Sequence, residues 1–121
     1  MPGTAFDGVA ATLCYRMLAA AASDNATNAV ARACVLKGIQ GYNAKASGVY
    51  LKLYDKATAP ASTDTPIKTI YIPATTAVSI EFPSGFVFDN GLGFRITTGV
   101  ADNDTGVLVA NDVLALNLDY E

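Results

Sequence analysis

The chain contains no histidine and no tryptophan, and only two cysteines. The missing histidine excludes a Ser–His–Asp triad, a Cys–His nucleophile pair and any imidazole-ligated metal centre. Cys14 and Cys34 form no Cys-x-x-Cys pair. Two thiols can neither build a disulfide framework nor close a zinc site. They read as two small buried hydrophobes in a reducing compartment, with a single bridge open only if their strands are neighbours. Charge is also scarce. Asp, Glu, Lys and Arg make up 16% of the chain, 8 basic against 11 acidic, for a net charge of −3. A chain without a positive field is not built to hold nucleic acid by its phosphates. Nor is there a long hydrophobic run: nothing approaches the ~18 apolar residues that cross a bilayer. The start, Met1–Asp7, lacks the basic region of a secretory signal. No G-x-S-x-G, no P-loop and no other phosphate-binding glycine loop occurs.

What is present is apolar and small. Hydrophobic residues make up 51%, and 21 residues are alanine. Area scaling for 12.5 kDa buries about two-thirds of the unfolded surface, enough for a real core. The length predicts one domain. Ordinary soluble domains carry about 25% charged residues, so the thin charge cover here predicts that part of the surface meets other protein.

Residues 1–11 read as an extended N-terminal arm with one large apolar anchor, Phe6, and residues 12–121 as a single domain. Residues 12–22 have helix-favouring composition, but Leu13, Tyr15 and Met17 alternate with Cys14 and Arg16, which predicts a strand. A strand over Asn28–Lys37 follows, with a bulge at Gly38 and a continuation over Ile39–Asn43. Val49, Leu51 and Leu53 alternate with Tyr50, Lys52 and Tyr54, one face for the core and one to cover a neighbouring surface. Asp55–Pro66 is a long polar loop. Strands are expected over Ile67–Ile72 and Val78–Phe82, the second ended by Pro83 with a turn at Ser84-Gly85. Asn90-Gly91 predicts a type I′ hairpin joining Phe86–Phe88 to Leu92–Thr98. Gly99–Ala110 is a further loop with a short strand at Val107–Val109. The last strand, Val113–Tyr120, should turn Leu114, Leu116, Leu118 and Tyr120 inward. About eight short strands without a helix predict an all-β fold, an antiparallel β-sandwich of jelly-roll or immunoglobulin-like class.

Two groups of residues invite a chemical reading. Asp102-Asn103-Asp104-Thr105-Gly106 brings two carboxylates and a sharp turn together, as calcium loops do. It lacks flanking helices and a Glu at the twelfth position, and Asp, Asn and Gly are ordinary turn residues. Tyr42, Tyr50, Tyr54 and Tyr71 could stack on sugars or serve a protein interface. No convergent carboxylate pair suggests acid–base catalysis. The expectation is a non-enzymatic protein with no catalytic, cofactor-binding or metal-ligating residue and no cofactor.

Several strings resemble small virion proteins of tailed bacteriophages. They are Val49–Pro60, Thr63–Pro66, Gly91-Leu92, Ile96–Gly99, Ala101–Gly106 and the ending Asn117–Tyr120. The resemblance spans about residues 20–120. It implies a capsid decoration (cement) protein made in the host cytoplasm. Such a protein sits on the outer capsid surface, often as a trimer, and binds the major capsid protein without nucleic acid or membrane. It leaves open a head–tail connector or fibre-associated role, and a carbohydrate-binding module is the rival class.

Overall fold

The computed structural model describes residues 13–121. The expected arm and its Phe6 anchor lie outside the described residues. Eight strands follow one another: β1 (Leu13–Ala19), β2 (Thr27–Val30), β3 (Cys34–Asn43), β4 (Val49–Asp55), β5 (Lys68–Ile72), β6 (Thr76–Phe88), β7 (Leu92–Thr97) and β8 (Val113–Tyr120). They form two four-stranded antiparallel sheets, ordered β1-β8-β3-β6 and β2-β7-β4-β5. The expected all-β sandwich is what the chain forms. Strands 1 and 8, 2 and 7, 3 and 6, and 4 and 5 pair antiparallel. This is the order that results when one long antiparallel strip rolls up, so the topology is a jelly roll and not an immunoglobulin fold.

Alternation on each strand explains the core. Leu36 and Ile39 of β3 and Leu116 and Leu118 of β8 face Leu51 and Leu53 of β4 and Phe94 and Ile96 of β7. All are fully buried. Tyr15 of β1 meets Phe94 edge-on, ring centroids 5.9 Å apart, and closes one side of the core.

Several expected boundaries move, each for a physical reason. The strand expected over Asn28–Lys37 breaks at Ala31–Ala33, because β2 and β3 belong to different sheets. Gly38 does mark an irregularity in β3, between Leu36 and Gly38. Pro83 does not end a strand, and Ser84-Gly85 does not turn the chain back. β6 runs through both, with Gly38 paired to Glu81 and Leu36 to Phe86. Phe82–Gly85 therefore bulge out, and Gly85 takes a φ of +81°. Proline's missing N–H is tolerated because β6 is an edge strand. Val107–Val109 is not a strand.

The Asn90-Gly91 hairpin does not form. β6 and β7 lie in different sheets, so the connection crosses the sandwich, and neither Asn90 nor Gly91 has a positive φ. The Asp55 carboxylate organises the crossing instead. It accepts the backbone N–H groups of Asp89 (3.2 Å), Asn90 (2.8 Å) and Gly91 (3.3 Å). Burial works against the Asp55 charge, but these donors more than offset it and hold its pKa below the usual carboxylate value.

Leu114 does not point fully inward; Val113 and Leu116 are the buried residues. Ala115, at φ +52°, inserts one extra residue between the Gln40–Asn117 and Tyr42–Leu114 pairs and reverses the alternation. A non-glycine residue in that region is strained. Ala115 is exposed, so nothing packed is lost by removing its methyl. Ala115→Gly should therefore raise stability by about 1 kcal/mol. A urea titration checks it, and an unchanged or lower midpoint would count against the bulge.

The cysteines also divide. Cys34 is buried, as expected, but Cys14 is exposed and both are free. Strand β8 lies between β1 and β3, which keeps the two thiols from facing one another.

Candidate binding surface

The centre of the second sheet's outward face, on β4 and β7, is not open to solvent. β4 and β7 pair Lys52 directly with Arg95, and both side chains are fully buried. Like charges opposite one another in a sheet are unfavourable, and buried charge is costly unless it is paired. Each cation is satisfied by a connection that crosses the sheet. Arg95 donates from Nε to Asp24 Oδ2 (2.9 Å), from Nη1 to the Tyr54 hydroxyl (3.0 Å) and from Nη2 to the Asp104 carbonyl (2.6 Å). Lys52 Nζ donates to the Ala101 carbonyl. Among the described residues no buried side-chain polar atom lacks a partner. Burial, followed by the Arg95 charge, lowers the Lys52 pKa. Burial also opposes the Arg95 charge, but its bonds to Asp24 and Tyr54 outweigh that and raise its pKa.

The two cations thus hold down the β7–β8 connection, residues 98–112. Asp104 stiffens the same loop. Its Oδ1 accepts the N–H groups of Gly99 (3.2 Å) and Gly106 (2.7 Å). Leu108 is buried in the core and donates its N–H to the Ser23 carbonyl (3.0 Å). Asp112 accepts the Val109 N–H (2.7 Å) and pairs with Lys45 (3.4 Å). The outer side of this tethered loop sets three apolar side chains among the exposed Asp102, Asn103, Thr105 and Asn111. Val100, Val107 and Val109 are 62%, 56% and 63% exposed. Side chains fixed on an ordered loop lose little entropy when a partner covers them.

The expectation that Lys52 and Tyr54 cover a neighbouring surface is corrected here. They lie beneath the chain's own loops, and Tyr54 is a buried acceptor for Arg95. The sequence pattern holds one clue to this burial. A lysine and an arginine sit at the centres of two largely apolar strands, positions that call for a buried counter-partner rather than water.

The tyrosines do not form one platform. Tyr50 and Tyr71 make a tilted pair, ring centroids 5.1 Å apart, with Tyr71 exposed. Tyr42 lies on β3 in the other sheet. The Asp102–Gly106 segment is the strap over Arg95, and its Asp104 carboxylate is engaged by backbone donors. Among the described residues, no three His, Cys, Asp or Glu side chains converge as a metal site. A shallow cleft of about 220 Å³ lies on the outer face of the first sheet, where Gln40 donates to Asp119 (2.9 Å) between Lys37 and Glu81. No family model, curated protein or solved structure matches the chain.

Proposed function

We propose that this protein is a non-enzymatic virion structural protein, a capsid decoration protein that grips the outer surface of a phage shell by non-covalent contacts. The observation that carries the reading is the tethered β7–β8 loop, which presents three exposed valines and is held from beneath by Lys52 and Arg95. The phage-like strings, which cover residues 98–99 and 101–106 of this loop but none of its valines, and the sparse surface charge support it. A small stiff domain that binds only the assembled lattice stabilises that lattice by mass action, and many copies add avidity.

Contacts of this kind are apolar, so attachment should survive moderate salt, which screens exposed ion pairs over about 10 Å at 0.1 M. Val107→Asp combined with Val109→Asp should leave the fold intact and cut particle occupancy at least about tenfold, a loss of about 1.4 kcal/mol. Quantitative co-sedimentation with stripped heads measures it. Heads lacking the protein should also release DNA earlier on heating. Equal DNA retention with and without the protein, or its location on the neck, tail or fibre, would overturn the decoration role.

One observation favours a second reading. The exposed Tyr71, paired with the half-buried Tyr50, offers a stacking surface, and lectin domains are among the known users of the jelly roll. A glycan array decides between the two: saccharide binding lost in Tyr71→Ala supports the carbohydrate module.

A further inference from the structure

We propose that β1 is a self-association edge: two copies of the chain pair their β1 strands antiparallel about a two-fold axis, joining their first sheets into one eight-stranded sheet. The inference does not depend on the capsid reading. It rests on a comparison of the four sheet edges. An exposed edge strand is a template for pairing, and proteins blunt such edges with prolines, bulges, lysines or shortness. β6 carries Pro83 and the Phe82–Gly85 bulge. β5 has five residues, begins with Lys68 and lies between Pro66 and Pro73. β2 has four residues and an irregular register. β1 has seven residues, no proline, glycine or lysine, and an unbroken register against β8. Among the described residues nothing pairs with its other side.

The side chains of β1 suit a copy of itself. Tyr15 and Met17 lie against the core yet are only half-buried, and Leu13 on the same face is exposed. A second β1 would lay an identical apolar row beside this one and extend both cores. On the opposite face Leu18 is 65% exposed and Cys14 is exposed. Arg16 is the only charge. With Tyr15 or Met17 on the two-fold axis, Arg16 faces Cys14 or Leu18 of the copy and not the other Arg16. A seven-residue strand is only about 24 Å long, so this contact falls short of the ~800 Å² per partner of a standard interface. The pair is therefore weak in dilute solution and favoured where copies are held close together.

Sedimentation velocity over a concentration series of the full chain, with a spin label on the exposed Cys14, tests the proposal. Cys34 is buried and should remain unlabelled. The expected result is a monomer–dimer equilibrium and a Cys14–Cys14 distance within about 25 Å. Leu18→Lys should weaken dimerisation at least about tenfold with an unchanged circular dichroism spectrum, while Val109→Lys leaves it unaltered. A chain that stays monomeric at the highest concentration overturns the proposal, as does a trimer or a dimer broken by Val109→Lys. Strong hydrogen-exchange protection of the outer β1 amides in the monomer assigns the edge to residues 1–12 and overturns it too. Loss of particle binding by the valine variants, without change in this dimer, would bear on the capsid reading alone.

Discussion

Gly91→Ala should lower the free energy of unfolding by about 3 kcal/mol, at the upper end of what forced overpacking costs. A methyl at this position would lie 2.6 Å from the Lys56 carbonyl oxygen, 2.6 Å from the Val30 carbonyl oxygen and 2.9 Å from the Ala57 Cα. All three are backbone atoms, from two separate segments, so no side-chain rotation relieves the contact. Gly91 also receives the Lys56 N–H on its own carbonyl (3.0 Å) and donates its N–H to Asp55. Movement away from the clash would strain both bonds. The companion variant separates this explanation from a turn requirement. Asparagine tolerates positive φ, so a type I′ turn would accept Gly91→Asn. A close approach of three backbones would not. Both variants should show similarly lowered urea midpoints; a near-native Gly91→Asn would restore the hairpin explanation.

That contrast also shows what the sequence made legible. The strands themselves were readable, because Val49–Tyr54 and Leu92–Thr97 alternate cleanly and a half-buried pleated surface demands that pattern. Partner choice was less so. Asn-Gly is a strong local hairpin signal, but β6 and β7 are drawn to different sheets by long-range pairing with β3 and β4. Proline and glycine at 83–85 mimic a turn wherever an edge bulge makes the same conformational demand. The shift from Leu114 to Val113 depends on the φ of one alanine, which leaves no mark in composition. At the candidate surface, the outward row of β4 reads as covering a neighbouring surface, since alternation reports two faces and not what covers the second. Only the folded chain brings residues 101–104 across that row, and only then do the flanking Val100, Val107 and Val109 become part of one surface.

Asp24→Ala should be the most damaging of the charge substitutions, at about 3 kcal/mol, the low end of the range for stranding one member of a buried pair. Arg95 is fully buried, whereas the Asp24 side chain is 29% exposed, so water can reach the vacated site and soften the loss. Asp24 Oδ1 also accepts the Ala26 N–H (3.1 Å), a bond lost in the same variant. Removing the stranded charge should reverse most of the damage: Asp24→Ala with Arg95→Met should be more stable than Asp24→Ala alone. Lys52 behaves differently. Among the described residues it hydrogen-bonds no carboxylate, only the Ala101 carbonyl, and it faces Arg95 across the strands; the nearby Asp104 and Asp102 charges favour its ammonium less than burial and Arg95 disfavour it. Lys52→Met should therefore be neutral or stabilising by about 1 kcal/mol. The pH dependence follows from the same burial. The folded-state pKa of Lys52 lies below its unfolded value of about 10.4, because burial and Arg95 disfavour the charged form. In the window between the two values the unfolded chain holds the proton that the folded chain has released, so Lys52 makes stability rise with pH there. Its destabilising contribution is fully present below the folded-state pKa and is relieved by about pH 10.4. Denaturant titrations of the native chain and Lys52→Met from neutral to alkaline pH should show the variant ahead at neutral pH and the difference closing as pH rises. A gap that widens instead would mean that the charged ammonium stabilises the folded loop.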